Sequence, residues 1–274
     1  MIKPETRSKI KGYLEGMINT IIAKHKGKRK TDAPYQLRPI REHSEDGDIK
    51  PFHEALIPDG ILATWEFERS FSTDLGHSFE EVGKLVALDN HSHAKREFPL
   101  VGEVNDETVS LIEAFENEIN NGKVRPGRFI EMVDEVFRSS SNAGRVVKRP
   151  VRVDLYVLTS RNEEYFFEIK TPQPNKGQCR EVTKRLLTVV AIKKGKPPLV
   201  NPYYAMAYNP YGASRAYYKR SISNYLDLEK EVVIQQEFWD ILGGPGTFEE
   251  VLDIYREVGN DKGGDIIDQL ALNY

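Results

Sequence analysis

Cysteine is almost missing from this chain. Cys179 is the one cysteine in 274 residues. No intrachain disulfide can form, which excludes a disulfide-stapled secreted fold and fits a reducing, cytoplasmic setting. Long apolar runs are missing too. None approaches the roughly 18–20 residues that a membrane helix needs, so no membrane association is expected. The opening MIKPETRSKIKGYLEG is charged and has no unbroken apolar stretch, unlike a secretory signal. There is no P-loop and no G-x-G-x-x-G, and Gly243-Gly244-Pro245-Gly246 is a turn without the Lys-Ser/Thr of a phosphate cradle. His25, His43, His53, His77, His91 and His93 show no zinc-ligand spacing with Cys179. Net charge is also scarce, at -3. That does not exclude a nucleic-acid partner, because a local field can differ from the mean.

What is present is unevenly placed. Lys170 to Lys196 holds eight basic residues against one acid, whereas Glu237 to the end holds nine acids and two basic residues. A basic centre with an acidic tail suits a protein with one phosphate-facing surface, although solvated helix faces would look the same. A second basic cluster, Lys24 to Lys30, could touch DNA backbone or simply end a helix. With 39% hydrophobic residues the chain can bury a core.

Apolar spacing predicts a helix over 5–24. Residues 31–62 read as an irregular connection. Thr73 to Ser78 reads as the lead into a helix from Phe79, with Ser78 as N-cap and Glu81 completing a capping box. Further helices are predicted over 106–121 and 127–138. After Pro150 the texture changes. Val151–Leu158 and Glu164–Lys170 read as a β-hairpin, followed by a Pro-rich break and a helix from about Gln178 to Lys194. Tyr203–Tyr208 and Glu231–Gln235 read as two more strands, and Glu237–Leu242 and Thr247–Val258 as closing helices. The expected fold class is α/β, a mixed central sheet flanked by helices. The expected organisation is one domain: a helical part over 1–150, a catalytic sheet core over 151–242, and C-terminal helices over 243–274.

Chemistry concentrates in Asp154, on the first strand of the hairpin, and Glu168-Ile169-Lys170, at the end of the second. Residues two apart on a strand share a face, so Glu168 and Lys170 point the same way and Asp154 on the paired strand can meet them. Two adjacent carboxylates repel unless a divalent cation joins them, and hard oxygen donors suit magnesium. Lys170 beside the pair could hold or deprotonate an attacking water and offset charge on a phosphorane-like transition state. The same three residues could instead form a cross-strand ion pair on a solvated face. A nearly buried hairpin, the break after Lys170 and the basic segment that follows favour the chemical reading.

At these residues the chain resembles the PD-(D/E)XK nuclease superfamily, with Val153 in place of the motif's proline. It resembles more specifically the TdeIII-like group of type II restriction endonucleases, which cut GGNCC-type sites. The matching stretches are Pro51 to Leu56, Phe71 to Gly76, Phe79-Glu80, Val86-Ala87, the motif with Thr171 to Gly177, and Glu237-Phe238-Trp239. The resemblance implies a restriction-endonuclease-like fold and a Mg²⁺-dependent enzyme that cuts double-stranded DNA at a short palindrome. A homodimer is implied because two-fold sequence is read by a two-fold protein, and a cognate DNA methyltransferase is expected as genetic partner. Asp154, Glu168 and Ile169 make up the implied metal site, joined by Glu80 from an earlier helix, with Glu81 as its competitor.

Guanine is best met in the major groove by Arg or Lys, and cytosine by an acceptor. Asn209, Tyr211 and Arg215, with Lys219 and Arg220, supply such groups after the third strand. Gln173, Asn175 and Lys176 lie beside the motif. Ser72 and Thr73 could bond phosphate from a helix-entry loop, or be turn residues. Tyr203 and Tyr208 read as packing. Two rival functions remain at this level: a structure-selective repair or recombination nuclease of the same fold, and a non-catalytic DNA-binding protein.

Overall fold

The computed structural model describes residues 1–25, 59–122, 124–170, 172–212, 217 and 220–270. In chain order they form α1 (Pro4–His25), α2 (Asp59–Asn90), β1 (His93–Asn105), α3 (Asp106–Asn120), α4 (Arg128–Ser140), β2 (Val146–Leu158) and β3 (Glu164–Lys170). There follow α5 (Lys176–Lys193), β4 (Val200–Met206), α6 (Arg220–Ser223), β5 (Val232–Ile234), α7 (Gln236–Gly243) and α8 (Thr247–Leu270). The described parts of Met1–Arg7 and Phe79–Leu252 make one compact unit, and those of Ser8–Ser78 and Asp253–Tyr274 a second.

The first unit is built on a mixed sheet in the order β1-β2-β3-β4-β5. β1/β2 and β2/β3 are antiparallel; β3/β4 and β4/β5 are parallel. The expected mixed sheet with flanking helices is therefore what the chain forms. Parallel neighbours require a crossover, and the helix after the Pro-rich break, α5, supplies it between β3 and β4. Its entry is set by a capping box: Asn175 Oδ1 accepts from the Gln178 backbone N–H at 3.0 Å, and Gln178 Oε1 accepts from Asn175 at 2.9 Å.

Apolar period fixes which face each helix buries. In α3, Ile112, Phe115 and Ile119 are buried, and in α5 Cys179, Val182, Leu186, Leu187 and Val190. These pack with α4 and with Tyr204, Met206 and Val232 of the sheet into one apolar core. The opposite face carries Phe167, whose ring meets Phe238 of α7 edge-on at 5.4 Å. β3 is thus covered on both sides, with Phe166 and Phe167 fully buried; each contributes about 1.5–3 kcal/mol of apolar transfer.

Several elements depart from the sequence expectation. α8 runs on past Val258 to Leu270, β2 starts before Pro150 at Val146, and α6 has no counterpart in the sequence reading. Two further departures bear on the site. β1 lies inside the part read as helical. It is an edge strand with exposed Lys95, Glu97 and Val101, and an edge position tolerates its Pro99. α2 is one helix of 32 residues, so Ser78 is not an N-cap. Its hydroxyl donates to the Leu75 carbonyl at 2.7 Å, a bond within the helix.

Candidate active site

Asp154 sits where both neighbouring strands let go of β2. On one side, the β1 ladder runs from His93↔Leu158 to Arg96↔Leu155 and resumes at Phe98↔Val153. It skips Glu97, whose φ of 45° lies in the left-handed region. On the other side, pairing with β3 ends at Leu155↔Phe167. In the gap the Asp154 side chain takes the place of backbone: Oδ2 accepts from the Ile169 backbone N–H at 2.8 Å. The same oxygen accepts from Lys170 Nζ at 2.8 Å, and Lys170 Nζ lies 3.3 Å from Glu168 Oε2. The three motif residues therefore converge at one strand end.

Glu168 is fully buried. Burial, and then the charge of Asp154, push its carboxyl up to about 7, against the pull of Lys170 and Arg185. Burial alone would lower the Lys170 ammonium, but Asp154 and Glu168 outweigh it and raise the group above its ordinary value. A second cation, Arg185 of α5, reaches Glu168 through Nη1 at 3.2 and 3.4 Å. Its other arm is tied to Glu181 at 2.5 Å. The sequence shows Arg185 only as one of a run of basic residues. Its contact with Glu168 joins a helix to a strand and has no local signature. Two carboxylates and two cations meet here, and burial together with the charge of Asp154 still disfavours ionisation of Glu168.

Glu80 is held by Arg96, whose Nη2 and Nε lie 2.9 and 3.2 Å from its Oε2. Glu81 accepts from Arg96 Nη1 at 3.1 Å and pairs with Lys84 at 2.6 Å. Among the described residues, no group of three or more His, Cys, Asp or Glu side chains is arranged to hold a metal ion. Asp154 and Glu168 are the pair the motif brings together, and Ile169 contributes its backbone N–H to Asp154.

The DNA-facing expectations fall into three sets. Gln173, Asn175 and Lys176 follow β3 directly and are exposed, with Lys176 Nζ 5.7 Å from the Tyr225 ring centre. Asn209 Oδ1 accepts from the Tyr211 backbone N–H at 3.0 Å, closing a tight turn. Tyr211 meets the Tyr217 ring at 5.6 Å, and Tyr217 bonds the Pro172 carbonyl at 2.7 Å. The loop after β4 is thereby tethered to the break after Lys170. Ser72 and Thr73 are a correction: they lie inside α2 rather than in a helix-entry loop. Their hydroxyls bond Glu68 and the Arg69 carbonyl, each four residues back. Such back-bonding lets Ser and Thr continue a helix where their turn preference suggested a break. Arg215 and Lys219 lie outside the described residues, as do residues 26–58 with most of the Lys24–Lys30 cluster and the Pro51–Leu56 stretch. Arg220 opens α6. Tyr203 stacks on Phe167 at 6.3 Å as expected, whereas Tyr208 is 42% exposed.

Much of the basic run is consumed internally. Arg180 and Lys184 pair with Glu116, Lys193 with Glu164, and Lys196 with Asp134.

The family described as "Type II restriction endonuclease, HinfI" matches residues 6–259. The Type II restriction enzyme HgiCII of Herpetosiphon aurantiacus is 41% identical over 280 residues, covering 98% of this chain and 99% of its own. HgiBI of the same organism is 40% identical over 280 residues, covering 98% of both. The Type II restriction enzyme MjaII of Methanocaldococcus jannaschii is 24% identical over 246 residues, covering 78% of this chain and 64% of its own. No solved structure matches the chain.

Proposed function

Because the chain belongs to the HinfI family of type II restriction endonucleases, we propose that this site-specific endonuclease cuts duplex DNA at Asp154, Glu168 and Lys170. The reading is that of a PD-(D/E)XK centre. The observation that carries it is Lys170 Nζ at 2.8 Å from Asp154 and 3.3 Å from Glu168, where β2 and β3 part. The donor set fits magnesium, which is commonly held by one or two carboxylates together with substrate phosphate oxygens. Asp154 and Glu168 would hold the ion, with Glu80 as a further acid. The ion's contribution is polarisation of the phosphate and relief of the charge that builds on it.

The chain's own residues do the rest. Asp154 is aimed by the Ile169 N–H. Lys170 holds the attacking water and offsets charge in the transition state. Gln173, Asn175 and Lys176, with Asn209 and Tyr211, are the groups proposed to meet the grooves and backbone, joined by Arg215, Lys219 and Arg220 of the same segment by their chemistry. The proposed target is a palindrome of the GGNCC kind, read by a homodimer, with a methyltransferase protecting the host's own copies.

The test is cleavage of sequenced plasmid DNA with Mg²⁺ by wild type, Asp154→Asn and Lys170→Met. Wild type is expected to give discrete fragments with common end sequences. Both variants are expected to lose cleavage while keeping sequence-specific binding. Cleavage by either variant at the wild-type rate would refute the assignment.

A further inference from the structure

A cleft of about 370 Å³ lies between α5, α3 and the first half of β2. Its walls carry Arg149, Lys184 and Arg185 against one acid, Glu113, over an apolar floor that includes Val109 and Val151. Arg185 belongs to this cleft and to the catalytic group at once, because it lines the cleft and its guanidinium binds Glu168 at 3.2 Å.

The three cations are not equivalent. Lys184 is tied to Glu116 at 2.6 Å and Arg185 to Glu181 at 2.5 Å. Their positions are thereby fixed and their charge largely met from within. Arg149 is exposed and has no ion-pair partner among the described residues. It is the cation left to attract something from outside. It stands five residues before Asp154 on the same strand, roughly 16 Å at 3.3 Å per residue. At the 3.4 Å axial rise of one B-DNA strand, that is a few nucleotides. A guanidinium fork matches the paired oxygens of a phosphate better than an ammonium does.

We infer that this cleft takes one backbone phosphate of the DNA, a few nucleotides from the one that is cut, with Arg149 as the group that binds it. The inference rests on the nuclease reading above and adds a contact the motif does not supply. Arg185 forms the wall that such a phosphate shares with the Glu168 carboxylate.

The experiment measures equilibrium binding, without divalent metal, of duplex DNA carrying the cleavage site over a salt series. It compares wild type with Arg149→Gln, Arg149→Lys, and Arg161→Gln as a control exposed in the β2–β3 turn. Arg149→Gln is expected to weaken binding roughly five- to thirty-fold at low salt. It should also flatten the plot of log affinity against log salt by about 0.9. Arg149→Lys should lose less, and Arg161→Gln should match wild type. A set of duplexes, each with one neutral methylphosphonate, then locates the contact. One position should weaken wild type and have no effect on Arg149→Gln. Unchanged affinity and slope in Arg149→Gln, or a methylphosphonate profile identical to wild type, overturns the inference. So does a wild type that binds no duplex. A wild type that binds but never cuts when Mg²⁺ is added overturns the nuclease reading and leaves the Arg149 result standing.

Discussion

Replacing Glu168 by glutamine should stabilise the protein at alkaline pH while destroying its activity. The carboxyl is fully buried and is pushed up to about 7 from an ordinary 4.5. At 1.36 kcal/mol per pH unit, its ionisation in the folded state costs roughly 3 kcal/mol. The sign follows from proton binding. Between 4.5 and about 7 the folded chain holds more protons at this position than the unfolded chain does. Stability therefore falls as pH rises through that window and stays lower above it. Glutamine is a neutral isostere and removes the decline. It orphans neither cation, because Lys170 keeps Asp154 at 2.8 Å and Arg185 keeps Glu181 at 2.5 Å. Urea unfolding with a chelator present should place Glu168→Gln within about 1 kcal/mol of wild type at pH 5, and roughly 2–3 kcal/mol above it at pH 8.5. Plasmid cleavage should be lost. A variant less stable than wild type at pH 8.5, or displaced equally at both pH values, would show that the buried carboxylate is not under electrostatic strain. The reasoning would then fail.

Two further outcomes test the frame around the site. The Tyr204 hydroxyl is buried with no hydrogen-bond partner among the described residues, so Tyr204→Phe should be neutral or stabilising by up to about 1 kcal/mol. A clear loss in a urea titration would mean the hydroxyl is bonded after all. Asn105 is buried; it caps α3 through Thr108 at 2.7 Å and donates to the Ser139 and Asn142 carbonyls at 2.8 and 3.1 Å. Asn105→Ala should cost about 2–4 kcal/mol, and a cost below about 1 kcal/mol would contradict this account of how α3 and α4 are joined.

The hairpin was legible because its two strands are dense in β-branched and aromatic residues and a short polar turn divides them. Once it forms, the period of two brings Glu168, Lys170 and Asp154 together, so the central group follows from local pattern alone. β1 was hidden by Pro99 and by alternating charges, which suit an edge but not an interior strand. The length of α2 was hidden by Ser72, Thr73, Gly76 and Ser78, residues that favour turns until their hydroxyls find a carbonyl a turn back. Arg185 and the internal pairing of the basic run depend on which helix face meets which strand. Periodicity along one segment does not carry that information.

The missing rungs on either side of Asp154 have one more consequence. Most acids in a cleft are aimed by a swivelling side chain, and their position is as loose as the rotamer allows. Here the carboxylate is a joist spanning two strands, seated by a main-chain amide of β3. Lengthening it by a single methylene, as in Asp154→Glu, keeps the charge but no longer fits the span. Framing and chemistry at this position are one requirement, and neither can drift without the other.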